Sequence, residues 1–199
     1  MKDDSSPAIE AEAGRLNAAA AILASLQRSE SSEVFFKGLL HGQIERSEAL
    51  HGVVWLPGPK PSEGVRLLCE EPARVGPQAA EAWRAPLARQ AGAVFLSGNR
   101  HVERVSEPAD RMLQGRPYWG VSLPVPVGQV VGAAVTLVLV GGEQQVLDFA
   151  RVAAESVSSQ GLLYGTLQAG QAIKERYDEL CRAWALVGSV NAGCANPAH

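Results

Sequence analysis

The sequence predicts one α/β domain set between helices, and three features carry that reading. Helical apolar spacing occupies both ends of the chain, at 8–27 and from 143 onward. Two extended segments, 118–125 and 129–140, are separated only by Pro126-Val127-Gly128. The second of these places Val131, Ala133, Val135, Leu137 and Leu139 on one face and Gly132, Ala134, Thr136, Val138 and Val140 on the other. A strand largely apolar on both faces belongs at the centre of a sheet with helices over each side.

Taken in order, residues 1–7 read as a disordered polar start. Ile9, Leu16, Ala20, Leu23 and Leu26 then lie near one face of a helix, with the strong helix-forming run Ala18 to Ala21 inside it. Ser29 to Ser32, with Glu30 and Glu33, supplies caps and favourable charge for a second helix over 32–48. Its apolar set is Val34, Phe35, Leu39, Leu40 and Ile44. Gly52 to Leu56 is short, β-branched and aromatic, and Pro57-Gly58-Pro59 ends it. Val65 to Glu71 follows as its hairpin partner, stopped at Pro72.

Helical spacing returns over 77–91 through Ala80, Trp83, Leu87 and Ala91, with Pro77 suited to the first turn and Pro86 expected to kink or split the helix. Val94-Phe95-Leu96 reads as a brief strand, and Glu107 to Gln114 as a short helix capped by Ser106 and closed by Gly115. After Gly141-Gly142 a long helix begins near Glu143. Its later set Tyr177, Leu180, Trp184 and Val187 alternates three- and four-residue steps, a coiled-coil-like seam. Ala154, Ser158, Gly161 and Gly165 form a strip of small residues on the same helix. Mid-helix glycines cost about 1 kcal/mol each relative to alanine, so the strip implies close packing or a bend. Its expected partner is the Ala-rich N-terminal helix of the same or a second subunit, with intramolecular packing as the competing reading.

Composition narrows the function. The 199 residues are 46% hydrophobic and 20% charged, as in a folded protein, and a chain of this size buries about 70% of its unfolded surface without a metal or disulfide. A net charge of -3 provides no basic footprint for nucleic acid or anionic lipid. The scattered arginines 84, 89, 100, 104, 111 and 116 read as ordinary surface residues. No secretory leader opens the sequence, and the most apolar run, Val130 to Val140, is about half the length a membrane helix needs. Three widely spaced cysteines, Cys69, Cys181 and Cys194, fit free thiols in a reducing cytoplasm.

Chemical centres are not marked. His41, His51, His101 and His199 form no short ligand pair with each other or with cysteine, so no metal site is expected. Cys69 sits in the apolar run Leu67-Leu68-Cys69, where an inert buried thiol is the expectation. Phosphate-loop glycine motifs are missing. The aromatic set Trp55, Trp83, Tyr118 and Trp119, with Arg116 at a strand start beside it, is able to stack on a planar ligand and clamp an acidic group. The competing reading is that the tryptophans fill a core.

The element order, and above all Tyr118-Trp119-Gly120-Val121-Ser122-Leu123-Pro124-Val125 followed by Gln129-Val130-Val131-Gly132-Ala133-Ala134-Val135-Thr136-Leu137, resembles the GAF domain family over roughly residues 15–165. That family has an apolar strand ending near a proline, a tight turn and a glycine-containing strand before its C-terminal helix. Here Pro124 is slightly shifted and Ala133-Ala134 replace bulkier residues. The resemblance implies an α+β fold: a GAF-like central antiparallel sheet with flanking helices and long N- and C-terminal helices. It also implies a small-molecule pocket on the sheet face away from the terminal helices, and pairing of subunits through those helices.

Known chemical variants of the family are not signalled. The cyclic-nucleotide signature Asn-Lys-x-x-x-Phe-x-x-x-Asp-Glu is absent, no Cys-His dipeptide marks a bilin site, and the cysteines are placed unsuitably for methionine sulfoxide reduction. The expected organisation is a disordered start at 1–7, an N-terminal helix at 8–28, a GAF-like domain at 29–165, a helical extension at 166–188 and a disordered tail at 189–199. The expected function is a non-catalytic regulatory or sensory module, without cofactor or metal, cytoplasmic, not membrane-inserted and not bound to nucleic acid. It binds a small ligand through Trp55, Trp83, Arg116, Tyr118 and Trp119, or forms a homodimer or meets a partner protein through its terminal helices, or does both. The alternative is a structural protein–protein interaction domain with a filled core and no ligand, a fragment of a larger signalling or transport-associated protein.

Overall fold

The computed structural model describes residues 32–60, 63–71, 76–106 and 116–194, with side chains as far as residue 185. The helix expected at 8–28, the short helix expected at 107–114 and the end of the tail lie outside the described residues. The elements are α1 (Ser32–Ser47), β1 (His51–Pro57), β2 (Val65–Glu71), α2 (Pro77–Ser97), β3 (His101–Val105), β4 (Tyr118–Val127), β5 (Val130–Val140) and α3 (Glu143–Cys194). The strands form one sheet in the order β2-β1-β5-β4-β3, and every neighbouring pair is antiparallel.

β5 is the central strand, and its two apolar faces dictate the layers. Ala133, Val135, Leu137 and Leu139 face one core, which α1 closes with Phe35, Phe36, Leu39, Leu40 and Ile44, and α3 with Val146, Ala150, Ala153, Val157 and Tyr164. Ala134 and Val138 face the second core, closed by Ala79, Trp83, Leu87, Ala91 and Val94 of α2. Both sides are covered by helices, as a strand apolar on both faces requires. α1 and α3 meet through Phe35 and Tyr164, whose rings stack at 4.2 Å with an interplanar angle of 3°.

Two local readings are corrected. Val94-Phe95-Leu96 is the last turn of α2 and not a strand, because Val94 continues the buried stripe of Leu87 and Ala91. The helix stops at Gly98, whose φ of 70° suits a residue without Cβ and whose N–H donates back to the Val94 carbonyl. The short strand lies just beyond, at His101–Val105. It is an edge strand paired only with β4, so its polar composition gave no apolar run to read. Pro86 lies inside α2, which is a single element through that position and not split there.

The strip of small residues on α3 packs against the β4–β5 hairpin. A Cβ on Gly161 would stand 2.5 Å from the Pro126 carbonyl oxygen and 2.7 Å from Val125 Cγ1, and one on Gly165 would stand 2.7 Å from the Gly128 amide nitrogen. These glycines let the helix axis approach backbone, which cannot yield as a flexible side chain does. Gly170, by contrast, has nothing within 4 Å of its Cβ position among the described residues. In denaturant unfolding, Gly161→Ala is expected to destabilise the domain by about 1–3 kcal/mol. Gly170→Ala is expected to be neutral or to stabilise by up to about 1 kcal/mol through helix propensity. Equal effects of the two substitutions would show that the close approach to the hairpin is not what these glycines serve.

Candidate functional site

The sheet presents chemically different faces to its two layers. Under α1 and α3 the buried side chains are almost all apolar. The indole of Trp119 is satisfied there, donating to the Gly141 carbonyl at 3.0 Å, with the Arg104 guanidinium 5.3 Å from its ring centre. Under α2, by contrast, the strands place His51, Trp55, Tyr118, Ser122 and Thr136 beside Gln90 of the helix, all buried. Strand alternation sorts them so: His51, Val53 and Trp55 share one face of β1, and Tyr118, Gly120 and Ser122 share the same face of β4.

Among the described residues, several polar atoms of this layer make no hydrogen bond: both ring nitrogens of His51, whose Nε2 stands 3.4 Å from Glu70 Oε1, together with Trp55 Nε1, Gln90 Nε2 and the Tyr118 hydroxyl. Four of these groups carry a donor hydrogen, since even a neutral imidazole has one N–H. Leaving such groups unpaired costs about 1–3 kcal/mol each. Where partners exist they tie the layer together: Trp83 Nε1 donates to the Ser106 carbonyl at 2.8 Å, and the Ser122 and Thr136 hydroxyls lie 3.0 Å apart. The Trp83 ring stands 6.1 Å from His51 and 5.9 Å from Tyr118, centre to centre.

Of the five residues singled out in the sequence, the structure brings three together. Trp55, Trp83 and Tyr118 belong to the α2 layer. Trp119 faces the opposite core, because adjacent strand residues point to opposite sides of a sheet. Arg116 is exposed and lines a separate cavity of about 560 Å³ with Ser47, Glu48, Leu50, Pro117, Val140, Gly141, Gly142 and Gln145. A second cavity of about 320 Å³ lies between the β1–β2 turn and the end of α2, lined by Pro57, Gly58, Lys60, Gly64, Val65, Gly92, Phe95 and Leu96. No tryptophan lines either cavity. His51 and Gln90, which the sequence reading passed over, join the site instead. The signal for His51 was its place two residues before Val53 and four before Trp55 on the buried face of β1.

Among the described residues no group of three His, Cys, Asp or Glu side chains is arranged to hold a metal. Cys69 is buried and its thiol is pushed up to about 11, chiefly by burial, whereas Cys181 is exposed. Alkylation of the folded chain at neutral pH is therefore expected to label Cys181 and spare Cys69 until denaturant is added. Rapid labelling of Cys69 in the folded state, read by peptide mass mapping, would contradict its enclosure.

Two histidines have opposite linkage to stability. Burial pushes His51 below its ordinary 6.5, against the pull of Glu70 and together with the push of Arg84. Neutral His51 is thus favoured by the fold, and stability is expected to fall as pH drops below about 6.5, where the unfolded chain takes the proton first. Exposed His41 is raised by the Glu71 carboxylate, hydrogen-bonded at 2.9 Å, so any contribution from it is present at low pH and lost as pH rises. Urea midpoints at pH 7.5 and 5.5 are expected to show a net loss on acidification that His51→Phe diminishes and His41→Gln does not.

No family model matches the sequence, and no curated protein sequence matches it. Solved structures do. A GAF domain from A. aeolicus, nlh2 in an inactive state, is 15% identical with a TM-score of 0.51, covering 78% of this chain and 96% of its own. A GAF domain from Pseudomonas syringae pv. tomato, in a protein assigned as a sensor histidine kinase, is 14% identical with a TM-score of 0.51, covering 85% of this chain and 96% of its own. Likeness at this identity speaks for architecture, and with the five-stranded antiparallel sheet and its flanking helices the chain has the fold of a GAF domain.

Proposed function

We propose that this chain is a regulatory or sensory module, without catalysis of its own, that pairs with a second copy of itself through its C-terminal helix. The observation that carries this reading is the exposed apolar row on α3. The helix is 52 residues long, roughly 78 Å at about 1.5 Å per residue, and every residue from 168 to 185 is exposed. Within that span Ile173, Tyr177, Leu180 and Trp184 are 71%, 66%, 53% and 77% exposed. Their steps of four, three and four put them on one side, with Lys174, Glu175, Arg176, Asp178, Glu179 and Arg182 around them. A helix with no tertiary cover is marginal in water, and a second identical row gives this one a self-complementary partner.

Sensing is the second element of the proposal, and the unpartnered donors beneath α2 support it. A small planar molecule with acceptor oxygens suits the layer, stacked by Trp55, Trp83 and Tyr118 and hydrogen-bonded by His51 and Gln90. Trp119 and Arg116 stand outside this arrangement. The similar P. syringae domain, assigned to a sensor histidine kinase, agrees with a signalling role. Free Cys69 and Cys181 suit a reducing, cytoplasmic setting, and no helix among the described residues is long and apolar enough to cross a membrane.

Native mass spectrometry of the chain from its own host is expected to show a dimer with a retained small molecule. A ligand-free dimer would leave the interaction domain with a filled core as the correct reading. For the pairing itself, sedimentation equilibrium is expected to show a dimer in the wild type and at least a tenfold weaker dissociation constant in Leu180→Glu. A wild type that stays monomeric at every concentration would sink the pairing.

A further inference from the structure

α2 is fastened to the sheet at both edges by the same arrangement. At the β2 edge Arg84 Nη2 lies 3.0 Å from Glu70 Oε2, and at the β3 edge Arg89 Nη2 lies 2.9 Å from Glu103 Oε1. The other oxygen of each carboxylate faces a histidine: His51 Nε2 is 3.4 Å from Glu70 Oε1, and His101 Nε2 is 3.6 Å from Glu103 Oε2. The two histidines differ in surroundings. His51 is fully enclosed, whereas the His101 side chain is 41% exposed.

We propose that α2 is a proton-released cover: protonation of His51 loosens the Glu70–Arg84 attachment and frees the first half of the helix from the sheet. The groups facing His51 are few. β2 presents Glu70 and α2 presents Arg84 beside Trp83, while Val138 of β5 is its cross-strand neighbour. Neutral imidazole is compatible with this layer. An imidazolium would be a second cation on a carboxylate already holding Arg84, in a place where neither ring nitrogen has a hydrogen bond.

A buried charge that must share its counterion with Arg84 is unfavourable, chiefly through lost solvation, and seeks water. The half-exposed Arg84 side of the cover is where water enters with the least disruption, because Arg84 already borders solvent and also pairs with Glu81 on its own helix. At the other edge, the His101 side chain is in contact with solvent, which screens the Arg89–Glu103 attachment from its charge. The second half of α2 therefore stays fastened and the helix opens from its Pro77 end. Histidine is the side chain whose ordinary titration lies nearest neutral pH, and His51 brings that response into the layer proposed to sense. The device itself requires neither ligand nor dimer.

Hydrogen–deuterium exchange of the full chain from pH 8 to pH 5, corrected for the intrinsic pH dependence of exchange, reads the cover directly. Protection over residues 77–90 is expected to fall at least tenfold, with a midpoint below 6.5 that coincides with the His51 imidazole titration followed by NMR. His51→Phe is expected to remove the step and His101→Gln to retain it. Protection unchanged down to pH 5, or a step that survives in His51→Phe or vanishes in His101→Gln, would overturn the proposal. If His51→Phe does not fold, the wild-type NMR titration decides: coincident midpoints support the device, and an imidazole that stays neutral while the helix opens refutes it.

Discussion

The double-sided apolar character of β5 is the constraint on which the rest of the structure depends. A strand with Ala133, Val135 and Leu137 on one side and Ala134 and Val138 on the other must be covered twice. The chain meets that demand unequally. One side receives two helices, α1 and α3, joined by aromatic stacking of Phe35 on Tyr164. The other receives the single helix α2 among the described residues. Burial of apolar surface is worth about 25 cal/mol per Å², so the doubly helical side is where most of the adhesive energy resides. The α2 side is closed by a buried apolar stripe as well, and its edge ion pairs, individually worth about 0–1 kcal/mol, add little to that.

The same division governs α3. Its first half belongs to the core, brought against the β4–β5 hairpin by Gly161 and Gly165. Its second half carries an apolar row that is exposed among the described residues. One rigid element thus touches the turn joining the two longest strands and also carries the surface proposed for pairing.

Much of this was legible because burial on a sheet leaves periodic traces. β4, β5, the β1–β2 pair and α1 were readable within a few residues, since each carries an apolar alternation or stripe bounded by Gly, Pro or Ser. β3 was not, because His-Val-Glu-Arg-Val at a sheet edge has little apolar surface to bury. Val94-Phe95-Leu96 looked like a strand because three consecutive apolar residues carry no period; only Leu87, Ala91 and Val94 together reveal the helix stripe. The candidate site was half legible. Aromatic residues announce themselves, but Tyr118 and Trp119 are neighbours, and period-two alternation forces them apart. His51 looked like one of four ordinary histidines until the register placed it across from Val138 and beneath Trp83.

That register also explains why a stable domain keeps unsatisfied polar groups in its interior. Converting His51, Gln90 and Tyr118 to well-packed apolar residues would remove several desolvation costs of about 1–3 kcal/mol each. The apolar side of the sheet shows that this chain builds such a core readily. Gln43 of α1 is also buried, but the buried groups left without a hydrogen bond among the described residues gather under α2. Local opening with a free energy well below that of global unfolding is the physical requirement for a part that responds while the whole stays folded. The layer proposed to respond lies on the opposite side of β5 from the helix that leads out of the domain.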